Sequence, residues 1–179
     1  MKNWFRPAGR RSAKNNVTRT LLQSAVFWGL FLWLIPIAIH NLESALDWAA
    51  LRFDRQVTTG WILFAMCGSL GISSGVTLAV QGAGTPLPMD TARKLVIRGP
   101  FRYVRNPMAV AGIGQGIAVG VVLGSGLVIA YSLAGAVIWH VAVRPHEEAD
   151  LLDRFAEDYR RYRDSTNLWI PKLRSRAHL

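Results

Sequence analysis

Residues 108–143 read MAVAGIGQGIAVGVVLGSGLVIAYSLAGAVIWHVAV, and these 36 positions contain no Asp, Glu, Lys or Arg. A bilayer core is about 30 Å thick and an α-helix rises about 1.5 Å per residue, so the stretch is long enough for two short membrane spans placed back to back. Gly124-Ser125-Gly126 lies at its middle and is typical of a turn. The stretch therefore predicts a helical hairpin inside a membrane.

Two further apolar runs lie before this hairpin. Residues 21–39 and residues 57–80 are also free of charged side chains. Their apolar residues are continuous rather than alternating, which favours helices over the strands of a barrel, and helices satisfy their own backbone hydrogen bonds in lipid. Pro36 is expected to bend the first span. We therefore predict an all-α, polytopic membrane helical bundle with four transmembrane helices, at about residues 21–39, 57–80, 108–124 and 125–143.

The basic residues assign an orientation to these spans. Of the 21 Lys and Arg residues, six precede the first span, two lie in the first loop, five lie between the second and third spans, none lies in the glycine turn and eight follow the last span. Since cytoplasmic loops carry the excess of Lys and Arg, both termini and the loop at 81–107 are expected in the cytoplasm. The net charge of +10 then favours anionic lipid headgroups, and no basic folded module remains for nucleic acid. We expect a basic cytoplasmic segment at residues 1–20 and a single membrane domain at residues 21–179.

Small residues recur on the spans at helical spacing. A glycine at every fourth position gives the third span one small face, which predicts close packing against the fourth span, because small faces let helix backbones approach each other in lipid. The second span has a similar face. These residues are Gly112, Gly116, Gly120 and Gly124 in the third span, and Gly68, Gly71, Ser74 and Gly75 in the second.

The cytoplasmic loop at 81–107 reads QGAGTPLPMDTARKLVIRGPFRYVRNP. Its glycines and prolines disfavour both helix and strand. It is nevertheless longer than a connection between two helices needs, and it contains several large apolar residues that a flexible linker would avoid. We therefore expect an ordered loop that faces a ligand.

An amphipathic helix is predicted at about residues 145–163. Pro145 suits the first turn, acidic residues crowd the N-terminal half, and basic residues crowd the C-terminal end, in agreement with the helix dipole. Apolar residues at spacings of three and four give one apolar face. The residues alone leave open whether this helix lies on the membrane surface or builds a ligand site with the loop.

One polar group stands where the fourth span leaves the bilayer: Arg144, His146, Glu147 and Glu148. Adjacent glutamates on a helix point about 100° apart, so they cannot form a convergent acid/base pair. We expect one glutamate to face a ligand and the other a cytoplasmic partner. Because His140 and His146 are not spaced to share one helix face, no metal site is predicted.

Two segments together resemble one family. The stretch GAGTPLPMDTARKLVIRGPFRYVRNPM, the glycine-rich hairpin and the stretch HEEADLLDRFAEDYRRYRDSTNLWIP are similar to the isoprenylcysteine carboxyl methyltransferase and phospholipid methyltransferase superfamily. The resemblance covers about residues 60–171. It implies a cytoplasm-facing pocket for S-adenosylmethionine, formed by the loop and the C-terminal helix, with a lateral opening to the bilayer. It also implies a bacterial inner-membrane location.

The resemblance carries specific residues. Its Arg-(His or Asn)-Pro element, its Glu-Glu-x-x-Leu element and its tyrosines imply a cofactor site, and an arginine before the acidic pair is implicated in catalysis. Two departures are Ala109, where many bacterial relatives have an aromatic residue, and Ala156, where a glycine is usual. The residues implied for cofactor binding are Tyr103, Arg105, Asn106, Pro107, His146, Glu147, Glu148, Tyr159 and Tyr162, and the implied catalytic residue is Arg144.

These side chains suit the chemistry of the cofactor. Methyl transfer from a sulfonium is an in-line displacement that needs alignment and exclusion of water and no metal. A glutamate can bind the ammonium or a ribose hydroxyl, and Arg105 can bind the carboxylate. Tyr103, or a tyrosine of the last helix, can stack on adenine or face the sulfonium. Arg144 either positions an anionic acceptor or anchors the span by reaching the headgroups.

We therefore expect an integral membrane methyltransferase that depends on S-adenosylmethionine. Its acceptor would be lipophilic: a phospholipid amine, a prenylcysteine carboxylate or a hydrophobic thiol. Two alternatives are an NADPH-dependent membrane reductase of the sterol or steroid type, which the Glu-Glu pair disfavours, and a non-enzymatic membrane protein. The sequence leaves the oligomeric state open.

Overall fold

The computed structural model describes residues 6–48, 50–87 and 90–171. In these ranges the chain is α-helical, and its only β contact is an isolated parallel bridge between Pro7 and Thr91. The all-α prediction is therefore confirmed. The helices are α1 Ala13–Phe27, α2 Ile35–Ala45, α3 Gln56–Gln81, α4 Pro107–Leu123, α5 Gly126–Ile138 and α6 Arg144–Ser165.

Two pairs of helices continue into each other through short π-helical segments. Trp28–Leu34 joins α1 to α2, and Trp139–Val143 joins α5 to α6. Each segment comes shortly before a proline, Pro36 or Pro145. A proline ring clashes with the carbonyl four residues earlier and donates no hydrogen bond, and a wider turn accommodates both defects. The first π-helical segment thus lies just before Pro36, where the sequence predicts a bend.

The helices are suited to a bilayer. Three continuous helices, 13–45, 56–81 and 126–165, are long and apolar enough to cross a membrane. The fourth apolar helix, α4, has 17 residues and a length of about 25 Å, at the lower limit for a span. The chain is thus an integral membrane protein with three to four helices able to cross the membrane, whereas the prediction counted four. The first helix also begins at Ala13, before the predicted start of its apolar run.

The turn of the predicted hairpin is confirmed. Gly124 ends α4 with a φ of +67°, a conformation that side chains other than glycine rarely adopt. Ser125 then caps α5, since its side chain accepts a hydrogen bond of 3.1 Å from the Val128 N–H. The two helices therefore reverse direction within two residues.

The glycine face of α4 packs on α5 over part of its length. A Cβ atom at Gly116 would lie 2.4 Å from the Ser132 Oγ, and one at Gly120 would lie 2.9 Å from the Ile129 backbone nitrogen. These contacts confirm the predicted packing for both glycines. The prediction is wrong for Gly112, which faces open space, because the close contact with α5 does not extend to the N-terminal end of α4.

The other side of α4 packs on α3. A Cβ atom at Gly60 would lie 3.0 Å from the Val122 backbone nitrogen, and Gly71 lies against the Ala111 methyl group. Gly75 faces Thr20 of α1, so the small face of α3 contacts two helices. This packing brings the end of α3 and the start of α4 to one end of the bundle, where the polar site is built.

Candidate functional site

The segment after α3 is ordered by its own hydrogen bonds. We call residues 82–98, apart from 88 and 89, the cofactor loop, after the role that the sequence resemblance implies for it. The N–H groups of Arg93 and Lys94 both donate to the Gly82 carbonyl, at 2.7 and 3.1 Å. Gly84 lies so close to Thr91 that a Cβ atom would be 2.4 Å from the Thr91 carbonyl oxygen. The expected order of this segment is confirmed for the described residues.

The Arg-Asn-Pro element forms the start of α4. The Asn106 side chain accepts a hydrogen bond of 3.1 Å from the Ala109 N–H and caps the helix, while Pro107 occupies the first turn. The Arg105 N–H donates to the Asn167 carbonyl at 2.9 Å. Asn106 and Pro107 therefore shape the backbone, and Arg105 alone of the three directs its side chain to α6.

Five of the predicted site residues form one hydrogen-bonded network. The Glu148 Oε1 accepts from the Nη1 of Arg105 at 2.5 Å, the Nη2 of Arg144 at 2.6 Å and the Tyr159 hydroxyl at 3.2 Å. Arg144 is only 4% exposed. Its Nη1 donates to the Glu147 Oε2 at 3.2 Å, and its Nη2 also donates to the Tyr159 hydroxyl at 2.8 Å.

The spacing along α6 explains why both glutamates reach Arg144. Glu147 and Glu148 follow Arg144 by three and four residues, and these are the helical spacings at which side chains meet. Both carboxylates therefore meet Arg144, and the expectation that one of them faces a ligand and the other a cytoplasmic partner stays a prediction. They still differ in one respect, because only Glu147 lines the neighbouring cavity.

The pKa values of the two carboxyl groups are shifted in opposite directions. Burial opposes ionisation of Glu148, but hydrogen bonds and charge from Arg144 and then Arg105 outweigh it and lower the pKa of this carboxyl. For Glu147 the desolvation by surrounding protein atoms dominates, although a third of the side chain is accessible, and it raises the pKa against the attraction of Arg144. Burial also raises the pKa of Tyr159, so this phenol stays protonated and donates.

One cavity adjoins the network, and an open cleft adjoins that cavity. The cavity is small, about 110 Å³, and lies between the cofactor loop and α6, and the cleft of about 1050 Å³ lies beside it. Leu95 and Tyr162 line both, so the two cavities are neighbours. The small cavity is lined by Arg105, Arg144, Glu147, Tyr159 and Tyr162 among the predicted residues, and the cleft by Tyr103 and Tyr162.

The remaining predicted residues lie outside the network. Tyr103 is 62% exposed and lines only the open cleft. His146 is exposed and lines neither cavity. Tyr162 is buried and donates from its hydroxyl to the Phe101 carbonyl at 2.6 Å, and its ring lies 6.3 Å from that of Tyr159. Tyr162 therefore connects α6 to the segment that leads into α4.

The sequence did not single out Arg154, which also lines the small cavity. Its Nη1 donates to the Ala92 carbonyl at 2.7 Å, and its Nε donates to the buried Asp150 carboxylate at 2.9 Å. The spacing of four residues between Asp150 and Arg154 is a sequence signal for an ion pair. No sequence signal indicates the backbone carbonyl of a distant loop, so the link from α6 to Ala92 required the structure.

Comparison with known protein families gives a match over most of the helical region. The model of a family described as phospholipid methyltransferase matches residues 55–158, more than half of the chain. The matched region begins at the start of α3 and includes Arg105, Arg144 and both glutamates of the network. No curated protein matches the chain.

Proposed function

The chain belongs to the phospholipid methyltransferase family, and on that premise we propose that it transfers a methyl group from S-adenosylmethionine to a lipophilic acceptor. The family implies a membrane methyltransferase, and the apolar helices agree with it. The observation that carries the cofactor is an unpaired group: the buried Arg105 Nε has no hydrogen-bond partner among the described residues. Arg105 lines the small cavity, where a ligand carboxylate would satisfy this donor.

The charge and volume of the two cavities suit different parts of the cofactor. The small cavity offers Arg105 for the carboxylate and Glu147 for the ammonium, but about 110 Å³ is less than the 300–1000 Å³ typical of ligand pockets. The adjoining cleft supplies the remaining room and two aromatic rings, Tyr103 and Tyr162, for the adenine. We assign the amino-acid end of the cofactor to the small cavity and the adenosine to the cleft.

The network keeps this cavity polar and rigid. S-adenosylmethionine supplies an activated methyl group on a sulfonium, and the protein must align it with the acceptor and exclude water. Arg144 donates three hydrogen bonds to Glu147 and Glu148 and a fourth to the Tyr159 hydroxyl, and these bonds hold both carboxylates in place. Since Arg144 is buried in this network, we propose that it is a positioning residue rather than a headgroup anchor.

The acceptor we favour is a phospholipid amine, because the matched family is described by its action on phospholipids. A prenylcysteine carboxylate and a hydrophobic thiol are the other acceptors of the proposal. Incubation of the purified enzyme with methyl-labelled cofactor and separated lipid classes distinguishes them. Label in the phosphatidylethanolamine class supports the proposal, and label only in an added prenylcysteine or thiol contradicts the phospholipid acceptor.

We propose that both termini and the cofactor loop face the cytoplasm, in a bacterial inner membrane. Single cysteines at Asp47 and Arg98, both exposed positions, test this orientation in a Cys67→Ser background. A membrane-impermeant maleimide should label the cysteine at 47 in intact cells and the one at 98 only after permeabilisation. External labelling at 98 would show that the orientation is inverted.

The cofactor is tested by binding. Isothermal titration of the purified protein with S-adenosylhomocysteine, and separately with NADPH, should show binding of the first alone. A micromolar dissociation constant corresponds to about 8 kcal/mol. Arg105→Ala and Glu147→Gln should weaken binding, whereas Arg98→Ala, an exposed arginine outside both cavities, should not. Equal affinity in all three variants would remove this cavity from the cofactor site.

A further inference from the structure

The segment before α1 is bound to the cofactor loop. We call residues 6–11 the N-terminal strap. The Thr91 N–H donates to the Arg6 carbonyl at 2.9 Å, and the Ala8 N–H donates to the Thr91 carbonyl at 3.0 Å. One guanidinium nitrogen of Arg11 lies 2.7 Å from both carboxylate oxygens of Asp90. The strap therefore holds two consecutive residues of the cofactor loop.

These contacts lie next to the small cavity. Thr91 and Ala92 both line it. Ala92 is held by α6, through the hydrogen bond from Arg154 to its carbonyl, while Thr91 is held by the strap. The position of this wall of the cavity thus depends on two separate elements of the chain, one of which is the strap.

The ion pair is the charged part of this connection. Asp90 is only 7% exposed, and besides Arg11 its carboxylate has Arg19 at 3.7 Å and a hydroxyl contact from Thr85 at 3.4 Å. Removal of Arg11 would take the closer of the two cations from this buried carboxylate, which is costly in a poorly hydrated site. The Asp90 backbone also receives the Thr85 N–H at 2.7 Å, so a displaced Asp90 disturbs the loop at a second point.

We propose that the strap, through the Arg11–Asp90 pair, holds the cofactor loop in its ligand-binding conformation, so that Arg11 and Asp90 are positioning residues for the methyl donor. The family match begins at residue 55, so the strap lies outside the matched region. This inference rests on the proposed function for the identity of the ligand. The claim that the strap orders the loop does not depend on the proposed function.

The first measurement is hydrogen exchange without ligand. In the full-length protein in lipid nanodiscs, Arg11→Ala should increase amide exchange at Thr85, Thr91 and Arg93, whose N–H groups are hydrogen-bonded in or to this loop. Arg10→Ala is the matched control, because Arg10 is exposed and makes no ion pair within the described residues. Unchanged exchange in Arg11→Ala would overturn the proposal whatever the ligand is.

The second measurement is the affinity for S-adenosylhomocysteine. When the loop is ordered in only a fraction of the molecules, the apparent Kd equals the Kd of the ordered form divided by that fraction. We expect a rise in Kd of about tenfold for Arg11→Ala or Asp90→Asn. The double variant should lose no more than either single one, because both break the same pair. Arg11→Lys should restore part of the affinity, and Arg10→Ala should leave it unchanged.

The outcomes separate the possible failures. Faster exchange with an unchanged Kd would show that the pair is structural only and would overturn its role for the ligand. Independent losses that add in the double variant would overturn the assignment to the ion pair. If the parent protein binds no S-adenosylhomocysteine, the proposed cofactor is wrong and the claim on affinity falls with it, while the exchange measurement still decides whether the strap orders the loop.

Discussion

The membrane hairpin and the polar cap are held together by different interactions. The hairpin consists of α4 and α5, and its closest contacts include a glycine against a backbone atom, Gly120 against the Ile129 nitrogen. The cap consists of residues 82–106 and α6. Its closest contacts are hydrogen bonds that involve charged groups, and one oxygen of Glu148 accepts hydrogen bonds from three residues.

The difference follows from the solvent of each region. Apolar helices gain nothing from leaving lipid tails for each other, so they associate through close packing, which small residues permit. At the cap, polar groups leave water for a partly enclosed site, and each of them needs a partner there. Damage to the hairpin should therefore depend on added volume, whereas damage to the cap should depend on lost partners.

Loss of the Arg144 guanidinium should give the largest effect. Arg144→Ala leaves Glu147, Glu148 and Tyr159 without their shared donor, and removal of one partner of a buried ion pair costs about 3–5 kcal/mol. Equilibrium unfolding in mixed detergent micelles measures the change. Arg161→Ala, where the side chain is 72% exposed, is the control and should change stability little. Equal effects of the two variants would contradict the view that the cap depends on completed ion pairs.

A single added methyl group should damage the hairpin. Gly120→Ala places a Cβ atom 2.9 Å from the Ile129 backbone nitrogen, and such overpacking costs about 1–3 kcal/mol. Gly112→Ala, two turns earlier on the same helix, meets nothing within 4 Å and should gain about 0.5–1 kcal/mol from lower chain entropy. The same unfolding assay reports both. A loss of stability in both variants would mean that glycine serves α4 in some way other than packing.

Replacement of alanine by glycine should change the stability in opposite directions at two positions of α6, because one of them lies at a kink. Ala156 has a φ of +41° and a ψ of −114°, so it interrupts the helix in a conformation that costs a residue with a side chain about 1–3 kcal/mol. Ala156→Gly should therefore stabilise the cap, by about 1 kcal/mol after the entropy of glycine is subtracted. Ala149→Gly, in the regular part of the same helix, should destabilise it by about 0.5–1 kcal/mol. Thermal unfolding of the two variants tests the difference in sign.

The pH dependence of stability should distinguish the two glutamates. The folded state lowers the pKa of Glu148 below its ordinary value of 4.5, so its contribution is complete above that value and is lost as the pH falls through the lowered pKa. Glu147 has a raised pKa and contributes with the opposite sign. Glu148→Gln should flatten the acid limb of the stability profile relative to the parent, and Glu147→Gln should not. A parallel acid limb in Glu148→Gln would contradict the lowered pKa.

Much of the hairpin could be predicted from the sequence because its determinants are local. Uncharged runs predict spans, Gly124 and Ser125 predict a turn, and glycines four residues apart predict a small face. The limit of this reasoning is Gly112, which belongs to the same repeat and yet faces open space. Periodicity shows which residues share a face, but it does not show where two helices separate.

The cap was predictable where one helix contains the partners. Arg144, Glu147 and Glu148 stand at helical spacings, and their meeting follows from those spacings alone. Arg105 was assigned to the same site from the family resemblance, because no local sequence pattern links it to α6. No sequence signal predicted the bond from Arg154 to Ala92, because a backbone carbonyl has no sequence pattern. None predicted the pair of Arg11 with Asp90 either, because Arg11 is one of six basic residues in the terminal segment and nothing in the sequence distinguishes it from the others.

The apolar runs, the charge asymmetry and the helical spacings establish a helical membrane protein with a polar group at one end of its last span, since each rests on forces between a residue and its solvent or its near neighbours. The three-dimensional packing alone decides that Arg105 reaches Glu148 across 43 positions and that Arg11 reaches Asp90 across 79. Contacts between distant residues depend on where helices cross and loops return, and the free energy of those contacts is shared among many residues. The short membrane helices therefore follow from the order of the residues, and the site they support follows from the tertiary fold.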